Sequence, residues 1–471
     1  MFHAKSIYPQ CAARSRVRRW SSSGLFLLVC LTARATAFSQ HVPGEKPTVS
    51  AATATLLEQR SAPFTEPLQG VSPADLVRCA LTANNELAAF RREIERARAR
   101  LQQSGLRPNP TLDFEQSSGR LANNPGDRAT SVGLALPLEV GGQRGRRIEL
   151  AQAELAAAQA AVAERERLLA AEVRRAFVDA LSAQRELEIT EGLNRLDTQT
   201  ASVVEARVSV GDAAPLEASL LRVEIDRLLA RRALVEGRWQ VALLRLKTLA
   251  GMAPEESLQL RADSSLTAAA VPALLNEATE MALRTRPDLR MARLVEAAAQ
   301  AGLRLVEAQA RPSVTISTRY TTDRTLTSLP APFTPFPDSG RTLTVGVSIG
   351  LPVFNRNQGA RAEAAVAITQ AQQRRVFIEA AIRAEVASAF ARQQAATRAL
   401  AIFEQGVLGR SQDNLRVLRG AYEIGAFKVT ELLAEQRRLL DAQKEFIEAS
   451  AERARALADL QTALGIIEEK Q

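Results

Sequence analysis

The sequence predicts a mainly α-helical chain with a small membrane β part, arranged as two internal repeats. Three observations carry this. Only 4% of the 471 residues are aromatic although 46% are apolar, and a chain rich in Ala, Leu, Arg, Glu and Gln favours long helices laid side by side over thick cores. Proline is absent between Pro137 and Pro215 and again after Pro352, so two long stretches lack the residue that breaks helices. Four short segments alternate apolar and polar residues with period two, the pattern of a strand with one apolar face.

Residues 1–37 read as a secretory signal peptide. Arg14 to Arg19 form a positive stretch, Gly24 to Leu31 a short apolar run, and Ala35-Thr36-Ala37 a small-x-small cleavage site; the run is too short to span a bilayer. Val29 stands where a lipoprotein signal needs a small residue, which argues against acylation of Cys30. The first forty residues also carry six of the net nine positive charges. What remains is an ordinary surface balance with no basic stripe for nucleic acid. After cleavage only Cys79 survives, so no internal disulfide can form. The histidines are His3 and His41, which excludes a His-based catalytic triad or a His-rich metal centre in the body of the chain. No catalytic, cofactor or metal site is predicted, and no enzymatic activity.

Residues 38–71, with Pro43, Pro47, Pro63 and Pro67, form an irregular leader. The first repeat spans 72–250. Ser72-Pro73-Ala74-Asp75 resembles a capping box with proline at the first helical position, opening a helix to about Gly105. A strand hairpin follows over about 110–137. A single helix over 146–208 would then run ~95 Å at 1.5 Å per residue, before a turn and a returning helix. A connector over 251–271 contains Gly251 and Pro254. The second repeat, 272–471, reads the same way, with its hairpin at about 312–352. Leu136-Pro137-Leu138 is answered by Leu351-Pro352-Val353, Val210-Gly211 by Ile424-Gly425, and Glu217 by Glu431, the signature of an internal duplication.

In the hairpins Leu112 and Phe114, Val132, Leu134 and Leu136, Val314, Ile316 and Tyr320, and Leu343, Val345, Val347 and Ile349 form the apolar rows. Nine or ten alternating residues suffice to cross a bilayer as a tilted strand; the same alternation also suits a water-facing hairpin on a soluble core. The connecting segments 118–129 and 322–341 are polar and read as exposed loops. Two hairpins cannot close a barrel alone and lipid tolerates no open sheet edge, so membrane strands would demand an oligomer, for which three chains supply twelve strands. In the last helix Leu432, Leu439, Phe446 and Leu460 form one seam at sevens, and Leu433, Leu440, Ile447 and Ala454 another. Two adjacent seams suit a barrel stave or a soluble coiled-coil bundle. Glu164, Glu166 and Glu172 interleaved with Arg165, Arg167 and Arg174 read as a solvated helix surface.

Taken in order and in duplicate, these elements resemble the TolC family of outer-membrane efflux channels over roughly residues 72–465. The runs Arg107-Pro108-Asn109-Pro110-Thr111-Leu112 and Leu136 to Arg144 are similar to the heavy-metal branch serving cobalt–zinc–cadmium or copper–silver pumps. The resemblance implies a homotrimer in which a long helical barrel crosses the periplasm, continuous with a twelve-stranded β-barrel in outer-membrane lipid. It also implies a periplasmic adaptor and an inner-membrane pump at the periplasmic tip. The adaptor-docking tips implied are Arg207, Ser209, Val210 and Gly211, and Tyr422, Ile424 and Gly425. Phe427 replaces the basic residue with which some members latch the tip. Glu217 and Glu431 are candidates for an acidic ring at the pore mouth, or else ordinary solvated helix residues; Ala434 stands where members often carry a second acid. Two function classes follow: a passive outer-membrane exit duct for heavy-metal cations or for drugs and dyes, or a periplasmic coiled-coil scaffold without a pore.

Overall fold

The computed structural model describes residues 70–119, 126–261, 271–327, 330, 332, 334–423 and 426–467. The signal peptide, the leader up to residue 69, and Ile424 and Gly425 lie outside the described residues. Helix α1 (Pro73–Ala83) starts as its sequence dictates: the Asp75 amide donates to Ser72 Oγ at 3.2 Å and the Ser72 amide to Asp75 Oδ2 at 3.3 Å, with Pro73 at the first position. The helix does not continue to Gly105. Asn84 adopts an extended conformation and its side chain accepts from the Leu87 amide at 2.9 Å, so it ends α1 and caps α2 (Asn85–Ser104). An internal asparagine can satisfy orphan amides locally and so break a helix without proline.

The first hairpin comprises β1 (Thr111–Ser118) and β2 (Arg128–Leu138). Gly142, at φ +76°, turns the chain from strand into helix, a conformation that costs other residues ~1–2 kcal/mol. There follow α3 (Gln143–Ser209), 67 residues long, and the returning α4 (Pro215–Ala250). The second repeat presents α5 (Leu275–Thr285), α6 (Pro287–Gln309), β3 (Ser313–Thr327), β4 (Phe336–Gly350), α7 (Gln358–Ile402), α8 (Leu408–Glu423) and α9 (Val429–Ala463). Here the equivalent break, at Arg286, precedes Pro287, which disfavours helix in the residue before it. Helices α7 and α8 are joined by a π-helical turn at Phe403–Val407, which α3 lacks.

Strands β3 and β4 run fifteen residues each, so the loop expected over 322–341 is largely strand. Pro337 hid this. It lies on β4, the edge strand of this chain's sheet, where proline is tolerated. The sheet order is β1-β2-β3-β4, antiparallel throughout, so the two repeats join where β2 pairs with β3.

Among the described residues three apolar cores hold the helices. Leu76, Leu87, Leu169, Phe177 and Leu246 unite α1, α2, α3 and α4. Their counterparts Ala282, Leu289, Ile382, Val386 and Leu460 unite α5, α6, α7 and α9. A third core at the turns gathers Val204, Leu221, Leu415, Tyr422, Val429 and Leu432. Both predicted seams of α9 enter these contacts, Leu432, Leu433, Leu440 and Leu460 being buried.

The solvated surface expected around residues 164–174 is corrected by the fold. Arg167 and Arg174 are buried. Arg167 Nη1 donates to the Thr462 carbonyl at 2.7 Å, and Arg174 Nη1 and Nη2 donate to the carbonyls of Ile466 and Ile467 at 3.4 and 2.5 Å. The Thr462 carbonyl lies in the last turn of α9, a group a helix leaves unpaired and electronegative, and the Ile466 and Ile467 carbonyls lie in the segment just beyond it.

Candidate functional site

The sheet has its faces reversed relative to a soluble protein. Leu112, Phe114, Val132, Leu134, Leu343, Val345, Val347 and Ile349 lie on one face and all are exposed, Leu112 at 73% and Val345 at 69%. Register makes them continuous: Phe114 pairs with Val132, Val132 with Tyr320 and Tyr320 with Leu343, and the Leu112–Leu134–Thr318–Val345 row lies next to it. The opposite face carries Asp113, Glu115, Ser131 and Arg319. Arg319 pairs with Glu115 and donates to Ser131 Oγ at 3.3 Å. Soluble monomers do not leave an apolar patch of this extent in water; a barrel wall with lipid outside and a wet lumen inside has this polarity. The outer edges of β1 and β4 have no partner strand among the described residues, a state that lipid excludes.

At the other end of α3 the two turns meet. Gly211 takes φ +80°, and the Asp212 amide closes the turn on the Arg207 carbonyl at 2.8 Å. Arg207 Nε donates to Asp212 Oδ2 at 2.8 Å, Ser209 Oγ donates to the Ala206 carbonyl at 2.7 Å, and Val210 projects its apolar side chain into solvent. The Arg207 guanidinium also lies 5.7 Å from the centre of the Tyr422 ring, within cation–π range. Tyr422 is buried and its hydroxyl donates to Glu217 Oε2 at 3.2 Å. Burial, reinforced by the Glu217 carboxylate, pushes the phenol above its ordinary range. Arg207, Tyr422 and Glu217 therefore form one assembly linking the first turn to the second. Glu431 is engaged differently: its Oε2 accepts from the Lys428 amide at 3.1 Å and caps α9. Each candidate ring carboxylate thus has a partner within its own chain.

Replacing Tyr422 by phenylalanine keeps the ring and removes the hydroxyl. The expected coupling with Glu217→Gln in a double-mutant cycle of tip stability is about 1 kcal/mol; additive effects would show that the bond links nothing.

Residues 76–252 and 278–466 match the family model described as outer membrane efflux protein. The chain belongs to this family. It is 24% identical over 386 residues to the cobalt-zinc-cadmium resistance protein CzcC of Cupriavidus metallidurans, covering 81% of this chain and 87% of that protein. It is 27% identical over 301 residues to the pyoverdine export outer membrane protein OpmQ of Pseudomonas putida, covering 61% of this chain and 60% of that protein. Among solved structures, CusC superposes with a TM-score of 0.70 at 23% identity, over 84% of this chain and 93% of that one. The Vibrio cholerae outer membrane protein VceC superposes at 0.65 and 20% identity, over 83% and 95%. The family consists of passive outer-membrane channels that reach into the periplasm. Its homotrimers work with a periplasmic adaptor and an inner-membrane pump.

The two runs of the first repeat that resemble the heavy-metal branch lie at the joint between sheet and helices of this efflux channel. Glu139 pairs with Arg147, which also donates to the Leu106 carbonyl at 3.1 Å, while Arg144 donates to the Gly105 carbonyl at 2.7 Å. Arg311 donates across the repeats to the Gly141 carbonyl at 3.0 Å. These residues hold the strand-to-helix corner. Sequence patterning missed the burial of Arg167, Arg174 and Asp197, which distant parts of the chain bring about.

Proposed function

We propose that three copies of this chain close a twelve-stranded barrel and conduct heavy-metal cations from an inner-membrane pump to the exterior. The exposed apolar face of a four-stranded sheet with two open edges carries this reading. Only further copies pair those edges while leaving the apolar face in lipid. The export segment 1–37 is removed, and the mature chain reaches the outer membrane through the periplasm. The adaptor docks on the tips, where Arg207, Ser209 and Gly211 shape the turn and Val210 offers an apolar contact. With three chains, up to six carboxylates from Glu217 and Glu431 stand near the mouth, favouring cations. The length of the match to CzcC, whose name records cobalt, zinc and cadmium, supports a metal cargo.

OpmQ, named for pyoverdine export, favours a second reading, that of an organic cargo. A deletion strain separates the two. Sensitivity to zinc, cobalt, cadmium, copper or silver with unchanged dye retention is the expected result. Unchanged metal tolerance with increased dye retention would assign the organic cargo instead.

A further inference from the structure

One layer above the tip core, the chain buries a carboxylate that the channel reading does not use. Asp197 of α3 has no exposed surface, and neither of its oxygens completes a hydrogen bond, the Gln436 amide standing nearby without normal hydrogen-bond geometry. It lies one turn from Ala201, as Glu224 of α4 lies one turn from Leu221 and Gln436 of α9 one turn from Leu432 and Leu433. These three residues form a polar layer stacked on the apolar core that holds the two turns together. The turn at Gly211 is ~20 Å away along α3.

The layer has acceptors in excess. Besides both Asp197 oxygens, Gln436 Oε1 and, one turn along α3, Asn194 Oδ1 are buried without a donor. The available cations are already committed. Arg437 donates to Glu224 through Nη2 at 2.5 Å and Nε at 3.3 Å, and Arg227 stands 3.5 Å from the same carboxylate. On α9 Glu435 pairs with Arg438 at 3.0 Å. On α3 itself Glu191 and Glu205 pair with Arg232 and Arg222 of α4. An ionised Asp197 is therefore a buried charge beside Glu224 that the Gln436 amide and the shared Arg437 only partly offset, whereas a protonated one supplies a donor to the acceptors around it.

We propose that Asp197 is a proton-operated latch: it packs the α3–α4–α9 layer tightly when protonated and loosens the tip bundle when it ionises. Burial, then the Glu224 carboxylate, raise its pKa from 3.8 to about 6, against the Gln436 amide and Arg437, which lower it. Because the folded value lies above the unfolded one, the folded state holds the extra proton between these two values. Stability of the layer then falls as pH rises from about 4 to about 6 and stays low above that. Carried into the channel reading, the tip is firmer in acid than at neutral pH.

The test is amide hydrogen exchange on the full chain in detergent, corrected for intrinsic rates, over residues 197–205, 221–228 and 433–440. Between pH 5 and pH 8 the wild type should lose about tenfold more protection than Asp197→Asn, which mimics the protonated acid and should stay flat. In Glu224→Gln, with the like charge gone, the midpoint of the loss should move to lower pH. Equal pH dependence in wild type and Asp197→Asn, or an unmoved midpoint in Glu224→Gln, would overturn the latch. Exchange reports packing within the chain and not conduction, so failure of the latch and failure of the channel reading are distinguishable.

Discussion

Replacing Arg286 by alanine is expected to destabilise the chain by about 3–5 kcal/mol, the cost of breaking a buried ion pair by deleting one partner. Arg286 is 4% exposed. It donates to Asp288 through Nη2 at 2.6 Å and Nε at 3.1 Å, and through Nη1 to Glu385 at 2.5 Å and the Ala463 carbonyl at 3.5 Å. Its loss takes the cation from the half-buried Asp288, leaving that carboxylate to the Leu289 amide at 2.8 Å, and opens the end of α9, where Thr285 Oγ1 also donates to the Leu464 carbonyl at 2.6 Å. Glu385 is largely exposed and recovers solvation, so Asp288 sets most of the penalty. Arg286→Lys keeps the charge but not the planar fork and should recover only part of the loss. The measurement is the denaturant midpoint of each variant. Adding Asp288→Asn to Arg286→Ala should restore stability, and a midpoint unchanged by Arg286→Ala alone would show that the clamp holds nothing.

A charge placed on the exposed apolar face of the sheet should be nearly as damaging, for a reason that belongs to lipid. Val345 stands opposite Thr318 on β4, between the exposed Leu343 and Val347. Arginine there costs about 2–4 kcal/mol at the bilayer midplane. Thr344→Arg, one residue along and therefore on the opposite face, should be tolerated because that side faces water. The readout is the fraction of heat-modifiable oligomer recovered in the outer membrane, reduced for Val345→Arg and near wild type for Thr344→Arg. The reverse order would mean that the faces are assigned the wrong way round.

What could be read from sequence was what is decided locally. The Ser72–Asp75 cap, the period-two rows of the strands, the proline-free helices and the Arg207-to-Gly211 turn each lie within a few residues of chain, so composition and spacing determine them. The break at Asn84 carried a weaker local signal, an asparagine followed by an acidic first turn, without the proline that marks the matching break at Arg286. The burial of Arg167 and Arg174 had no local signal. An alternation of Arg and Glu has the same pattern on a solvated helix and on one packed against a distant carbonyl, and the carbonyls lie almost three hundred residues away. Asp197 was hidden in the same way, since its isolation depends on α4 and α9 closing over it. Glu217 and Glu431, equivalent by repeat, diverge in the fold because one meets Tyr422 and the other caps its own helix.

In the proposed trimer the sheet of one chain is a third of a closed barrel. Native mass measurement of the full-length protein, purified in detergent from outer membranes, tests it most directly. A single species of three chains that loses solubility when detergent is withdrawn is expected. A monodisperse single chain, stable in detergent-free buffer, would contradict it.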